Sequence, residues 1–416
     1  MPAFDIINLQ ANEGEGYDKP LSFLFAASGD LRNVVKTIAS LPEGFSSGLK
    51  VDINDLDMDI VARNIIFLLL FYTLEDGEEA AECVLHLWYS TLIPPWCLLK
   101  LDSLKDLIVR SVVMNAPQRI DHRQRKLFEQ LKPSWRMCTN RFRQDGILLP
   151  FGHPRTSYTI PNPTFFQSAD EWPLKDSSDP MDGWPISEVL DTHTAARDDV
   201  NGKLFQYIRS TLAVVHSRLR SLEISFQLFH GDIQRVIQLI DAEPRYDRIE
   251  VSNICDKHYL GTQRTLALFG PKLCPQERNP HATLITLFMN AVEQECSRLD
   301  SFQDTPHEMQ KLSAFLPLAI PLDGHTSDAK FLRFSQAKAM MRDGDKYFNR
   351  YMKREDFRGA GEMAGVTMKS RNTVIDEWPL QLKLRPKDKG AKEAFENLLG
   401  SGHSGLERYV EWRRSF

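Results

Sequence analysis

Between Pro20 and Gly29-Asp30 the chain runs LSFLFAAS, an unbroken apolar stretch without alternation, the pattern of a short strand buried on both faces. The spacing then changes. Leu31, Val34, Val35 and Ile38 recur at i, i+3, i+4 and i+7, which predicts a helix from Leu31 to Leu41 that Pro42 stops. LKVDIND alternates from Leu49 to Asp55 and predicts a second strand, after which Met58 to Leu74 returns to helical periodicity. Together these make a βαβα unit.

After a long interval the same alternation resumes. ISFQLFH (Ile224 to His230) is a third strand closed by Gly231-Asp232-Ile233, with a helix from Gln234 to Ile240; YDRIEV (Tyr246 to Val251) is a fourth, leading into Ser252-Asn253. Leu260 to Leu268 predicts a helix ended by Gly270-Pro271, and HATLITLFMN (His281 to Asn290) a fifth strand. Towards the carboxyl end, Phe331 to Asp345 is helical, VTMKSRNTVIDEWPLQLKL predicts two extended segments completing the sheet as a hairpin, and Ala391 to Leu399 is a last helix before the basic end WRRSF.

The interval itself carries Glu78 to Leu92 and Leu98 to Asn115, both amphipathic, then a charged helix from Gln118 to Leu131. From Pro133 to Asp199 the composition turns to Pro, Trp, Phe, Tyr, Asp and Ser, and a segment of this kind is expected to act as a lid. The chain therefore divides into residues 1–75, the first half of a core; 76–220, a helical cap and aromatic lid carrying Trp172 and Trp184; and 221–416, the second half.

Parallel strands joined by helices bind ligands at their carboxyl ends, where Gly29, Asp55, Asp232 and Ser252 fall. The interval from Gly29 to Asp55 is close to the roughly 20 residues expected when an acid at the second strand end holds a ribose hydroxyl. SGDLRN has one glycine where a dinucleotide fingerprint has three, which disfavours NAD. S-adenosylmethionine, with ribose and adenine but no phosphate, suits a single small residue. Ser28, Asp30 and Arg32 are then expected at its methionine end, Asn54 and Asp55 at the ribose, Asp232 and the Ile233 amide at the adenine, and Ser252 at the fourth strand end. Asn253, Asp256, His258 and Tyr259 would be the polar groups nearest the methyl. Each acid also has a plainer reading as a helix cap: Asp30 for the first helix, Asp55 for the second, Asp232 for the third. Arg63, inside an apolar helix, is expected to pair with Asp30, Asp55 or Asp57.

Composition narrows the classes. The 416 residues are 42% apolar and 26% charged, an ordinary globular mixture, and 51 basic against 56 acidic residues leave a net charge of −5, so no global pull towards nucleic acid is expected. Six scattered cysteines suggest neither zinc nor disulfides, and no metal is expected. The longest apolar run, Ile65 to Leu74, is half a membrane span, and MPAFDIINLQ lacks the pattern of a signal peptide; a cytoplasmic protein with a small-molecule substrate and no membrane partner is expected. A homo-oligomer is compatible with the sequence.

The strand-end order GD, ND, GD, SN resembles a Rossmann-type, class I methyltransferase core: a mostly parallel α/β sheet, here with a large helical and loop insertion. GDLRNVVKTIASLP, INDLDMDIVARNIIFLLL and YDRIEVSNICDKHYLGTQRTLALFGPKL resemble a fungal family of largely uncharacterised proteins, whose amino-terminal domain also stands beside MYND fingers and in axonemal dynein preassembly factors. The first likeness implies S-adenosylmethionine-dependent methyl transfer. The second implies an alternative, a non-catalytic interaction or assembly factor on the same scaffold.

Overall fold

The computed structural model describes residues 1–104, 133–165, 179–240, 243, 245–316, 329–401 and 403–415. Seven strands form one sheet: β1 (Leu21–Phe25), β2 (Leu49–Asp55), β3 (Ile224–His230), β4 (Arg248–Glu250), β5 (Thr283–Phe288), β6 (Val366–Met368) and β7 (Arg408–Arg414), in the order β3-β2-β1-β4-β5-β7-β6. The first five are mutually parallel, with Leu21 beside Leu49, Phe23 beside Arg248, Leu49 beside Ile224 and Ile249 beside Leu284. β7 runs antiparallel to both of its neighbours. The fold is a mixed α/β architecture on a mostly parallel sheet.

Why LSFLF reads without alternation is visible in the packing. Phe23 and Phe25 enter one hydrophobic cluster and Leu24 the other, so β1 is buried on both faces. The first cluster joins the sheet to α1 (Arg32–Ala39), α2 (Met58–Thr73), α3 (Gly77–Tyr89) and the long helix Val200–Ser221, through residues such as Val35, Phe67, Leu87 and, four apart on the long helix, Ile208 and Leu212. The second joins it to Ile233–Leu239, Thr262–Phe269, Gly344–Arg354 and Phe357–Ala364 through Ile237, Phe269, Tyr351 and Phe357.

Differences from the sequence pattern lie in the insertion and at the carboxyl end. The expected hairpin in VTMKSRNTVIDEWPLQLKL is one short strand, β6, whose partner is β7, in the basic end of the chain. Buried Glu411 of β7 explains the turn: its carboxylate accepts the amides of Thr373, Val374 and Ile375 and pairs with Lys369, so the backbone after Lys369 wraps a side chain instead of extending a strand. The helix expected over Phe331 to Asp345 is two, Ala329–Ala339 and Gly344–Arg354, the second restarted by Asp343, which accepts the Lys346 amide. The helix expected from Leu98 to Asn115 runs from Pro95 to Asp102 and is capped at Ser103; residues 105–132, with the charged segment Gln118 to Leu131, and Trp172 lie outside the described residues. Much of the described part of Pro133 to Asp199 packs into the first cluster, while Ile147, Leu149 and Tyr158 form a small cluster of their own: helix Pro133–Asp145 buries Trp135, Cys138 and Phe142, and buried Trp184 donates to the Tyr89 hydroxyl. All six cysteines are unbridged. Among the described residues no helix is long and apolar enough to cross a membrane.

Candidate functional site

The direction of strand order reverses at β1, which has β2 on one side and β4 on the other, so the loops leaving β1 and β4 part and open a crevice at their carboxyl ends. Backbone bonds hold both loops: Ala26 N–H donates to the Glu250 carbonyl, Ser28 N–H to that of Asn54, and Leu287 N–H to that of Ser252. In each loop one residue other than glycine is left-handed, Ala27 (φ 52) and Ser252 (φ 48), a conformation that costs about 1–3 kcal/mol and concentrates at binding sites. Gly29 (φ 68) lies between them with open space where a Cβ would stand. The crevice holds a cavity of about 240 Å³ walled by both loops, by Asn33 and Tyr409, and by the first two residues of the chain.

Its most unusual group is Glu250, the last residue of β4, which the sequence pattern does not single out. Its side chain lines the cavity, accepts the Ser252 amide at 2.7 Å and is also hydrogen-bonded by Asn33, yet burial pushes its carboxyl up to about 7. The one signal in the sequence is an acid at the very end of an alternating strand, YDRIEV. Ser28 contributes a buried hydroxyl with no hydrogen-bond partner.

At the neighbouring strand ends, Asp55 accepts the Gly29 amide at 2.8 Å and the Asp57 amide at 2.9 Å. It does not cap α2; Asp57 does, accepting from Asp59. Asn54 is buried and ties β3 down through the Phe229 and Gly231 carbonyls. Asp30 does not cap α1 at its N-cap position, which Leu31 occupies without a side-chain bond; instead it accepts the Arg32 amide and forms an ion pair with the Arg32 guanidinium at 2.7 Å. Asp232 is exposed and caps the helix Ile233–Leu239 by accepting the Gln234 amide at 2.8 Å, with Ile233 buried beneath it. Of the residues expected at the cofactor, Ser28, Gly29, Asp30, Arg32 and Ser252 line the crevice cavity, while Asp55 supports its floor through Gly29.

The four groups expected nearest the methyl are arranged differently. Asp256 is buried and spent on holding the β4 and β5 loops together, accepting from the Asn290 side chain at 2.8 Å and the Met289 amide at 3.2 Å. His258 and Tyr259 are exposed, and neither they nor Asn253 is among the residues lining this cavity.

A second cavity, about 350 Å³, shares Asp30 and Arg32 with the first and extends between α2 and α3 along Arg63, Trp88, Tyr89 and Phe142. No ion pair joins Arg63 to Asp30, Asp55 or Asp57: those carboxylates are taken by Arg32 or by backbone amides, and Arg63 Nε is buried without a partner. Among the described residues no group of three His, Cys, Asp or Glu side chains is placed to hold a metal ion.

A family described as a domain of unknown function (DUF4470) matches residues 1–93, which carry β1, β2 and the wall formed by α2 and α3. No curated protein and no solved structure matches the chain.

Proposed function

We propose that the protein is an S-adenosylmethionine-dependent methyltransferase acting on a small or medium-sized substrate. The observation that supports the reading is the mostly parallel sheet, ordered 3-2-1-4-5-7-6 with one reversed strand, whose order turns at β1 and so opens a ligand crevice at the carboxyl ends of β1 and β4. The strand-end residues fit such a cofactor. Ser28 has an unused hydroxyl, the face of Gly29 is open, and Asp55 gives each oxygen to one amide only, leaving acceptor capacity for a ribose hydroxyl. The acidic crevice suits a cation.

When bound, S-adenosylmethionine would supply a methyl group activated on a sulfonium. The chain's own part is to orient an acceptor and, where that acceptor arrives protonated, to take its proton. Glu250, with its carboxyl near 7, is the group suited to that work.

The match over residues 1–93 supports an uncharacterised amino-terminal domain; the likeness of GDLRNVVKTIASLP and its neighbours to a fungal family whose domain accompanies MYND fingers and dynein preassembly factors belongs to the proposal. One observation favours the second reading, a non-catalytic assembly factor: Asp55 already braces Gly29 and the α2 turn, a use that needs no ligand. Titration calorimetry with S-adenosylhomocysteine separates the readings, and Asp232→Asn sharpens the test. Asn caps a helix about as well as Asp, so the melting temperature should stay unchanged, while affinity should fall by roughly 1–2 kcal/mol as the charged acceptor for the adenine amino group is lost. No heat with the wild-type protein would exclude the methyltransferase.

A further inference from the structure

We infer that the cavity between α2 and α3 is a binding site for a small, flat carboxylic acid, held by Arg63. The site is built from three features. Arg63 brings a half-buried guanidinium whose Nε–H is out of water without an acceptor, and an orphaned donor facing a cavity is satisfied when a ligand oxygen reaches it. Trp88 and Tyr89 stack at 11° with centroids 5.5 Å apart, and with Phe142 they line the same cavity, a surface suited to a planar apolar body. The remaining charges already have company. Asp30 pairs with Arg32, Asp179 accepts the Met181 amide with Arg143 nearby, and Asp182 lies within electrostatic reach of Arg32 and the Met1 amino group.

The sign and size of the ligand's charge follow from this inventory. A cation would meet Arg63 with no carboxylate released to receive it. A phosphate dianion would bring a second negative charge that the single guanidinium of Arg63 does not balance, beside a wall that carries Asp30, Asp179 and Asp182. A monoanion whose two oxygens match the guanidinium fork, on an apolar body, satisfies both constraints. The cavity volume of about 350 Å³ is in the range of small-molecule sites.

Position gives the site its use. Asp30 and Arg32 belong to both cavities, and Asn64, next to Arg63 on α2, reaches the Gly29 carbonyl at 3.5 Å. An acid anchored at Arg63 would therefore extend towards the strand ends where the methyl donor is proposed to sit. That role as acceptor site rests on the methyltransferase reading; the preference for a carboxylate does not.

The test uses the full chain, with 3-phenylpropanoate and 2-naphthoate each titrated beside its own primary amide at pH 7.5. The acids should bind about tenfold or more tightly than the amides, as a charge-assisted pair requires. In Arg63→Gln, with an unchanged melting temperature, acid and amide should bind within about twofold of each other, and Arg63→Lys should fall between, since it keeps the charge and loses the fork. Equal binding of acid and amide to the wild type, a preference that survives Arg63→Gln, tighter binding of inorganic phosphate, or no binding of either acid would overturn the proposal. S-adenosylhomocysteine titrated separately into the same protein reads the donor crevice, so failure of the donor reading and failure of the carboxylate site show in different experiments.

Discussion

Glu250→Gln is expected to make the protein more stable at pH 8 and, on the proposed methyltransferase reading, to cost most of its catalysis. The carboxyl is buried, and burial raises it from 4.5 in the unfolded chain to about 7 in the folded one. A folded value above the unfolded one means that the folded state holds the proton more tightly. The contribution to stability is therefore complete below about 4.5 and is lost progressively as pH rises to about 7, to the extent of about 3 kcal/mol. Gln keeps an oxygen for the Ser252 amide and has no proton to lose. The variant's melting temperature should thus decline less than the wild type's between pH 5 and 8, the difference between the two being the part that belongs to Glu250. If Glu250 receives the acceptor's proton, kcat/KM should fall by roughly 10²–10⁴ in the same variant. Gaining stability while losing activity is the signature of a strained functional group, and a variant tracking the wild type at every pH would take Glu250 out of that role.

That Glu250 is hidden in the sequence while its neighbours are not has a physical reason. Strands β1 and β3 are legible because their burial leaves a local trace, continuous in LSFLF and alternating in ISFQLFH; β2 is legible from the apolar-polar alternation of LKVDIND although its polar Asp52, Asn54 and Asp55 are buried too, and β2 and β3 are bounded to the residue. Gly29 and Asp55 are legible because turns and strand ends favour particular residue types. Glu250 acquires its property only from what surrounds it, including Asn33 from α1 and Tyr409 from the far end of the chain, contacts that no local window contains. The same holds for β7. RYVEWRR is charged enough to read as a solvated tail, and its burial depends on Glu411 finding three amides and Lys369 across the sheet. Arg63 stands out in the sequence as a charge in an apolar helix. Its expected partner is wrong because each nearby acid is already bound to backbone or to Arg32.

Glu13→Ala is expected to be the most destabilising of these substitutions, at about 3–5 kcal/mol, because it strands a fully buried guanidinium. Arg248 at the start of β4 is 0% exposed at its side chain and Glu13 1%, and both oxygens of Glu13 lie 2.8 Å from one Arg248 nitrogen. The other contacts of the guanidinium are the carbonyls of Ile7, Asp247 and His281, which hydrogen-bond but do not neutralise it. Glu13→Gln keeps an acceptor and should cost less. Glu13→Leu combined with Arg248→Met should recover much of the loss, since replacing both members removes the uncompensated charge instead of exposing it. Thermal unfolding of the wild type, the single variants and the double variant decides the matter, and an additive double mutant would deny the coupling. The consequence reaches the crevice. The segment fastened by Glu13 runs back through Ile6, whose amide donates to Thr37, and Phe4, whose amide donates to Asn33, to the two residues that wall the cavity beside Glu250. Loosening Glu13 should therefore expose this segment to limited proteolysis at temperatures where the sheet is still folded.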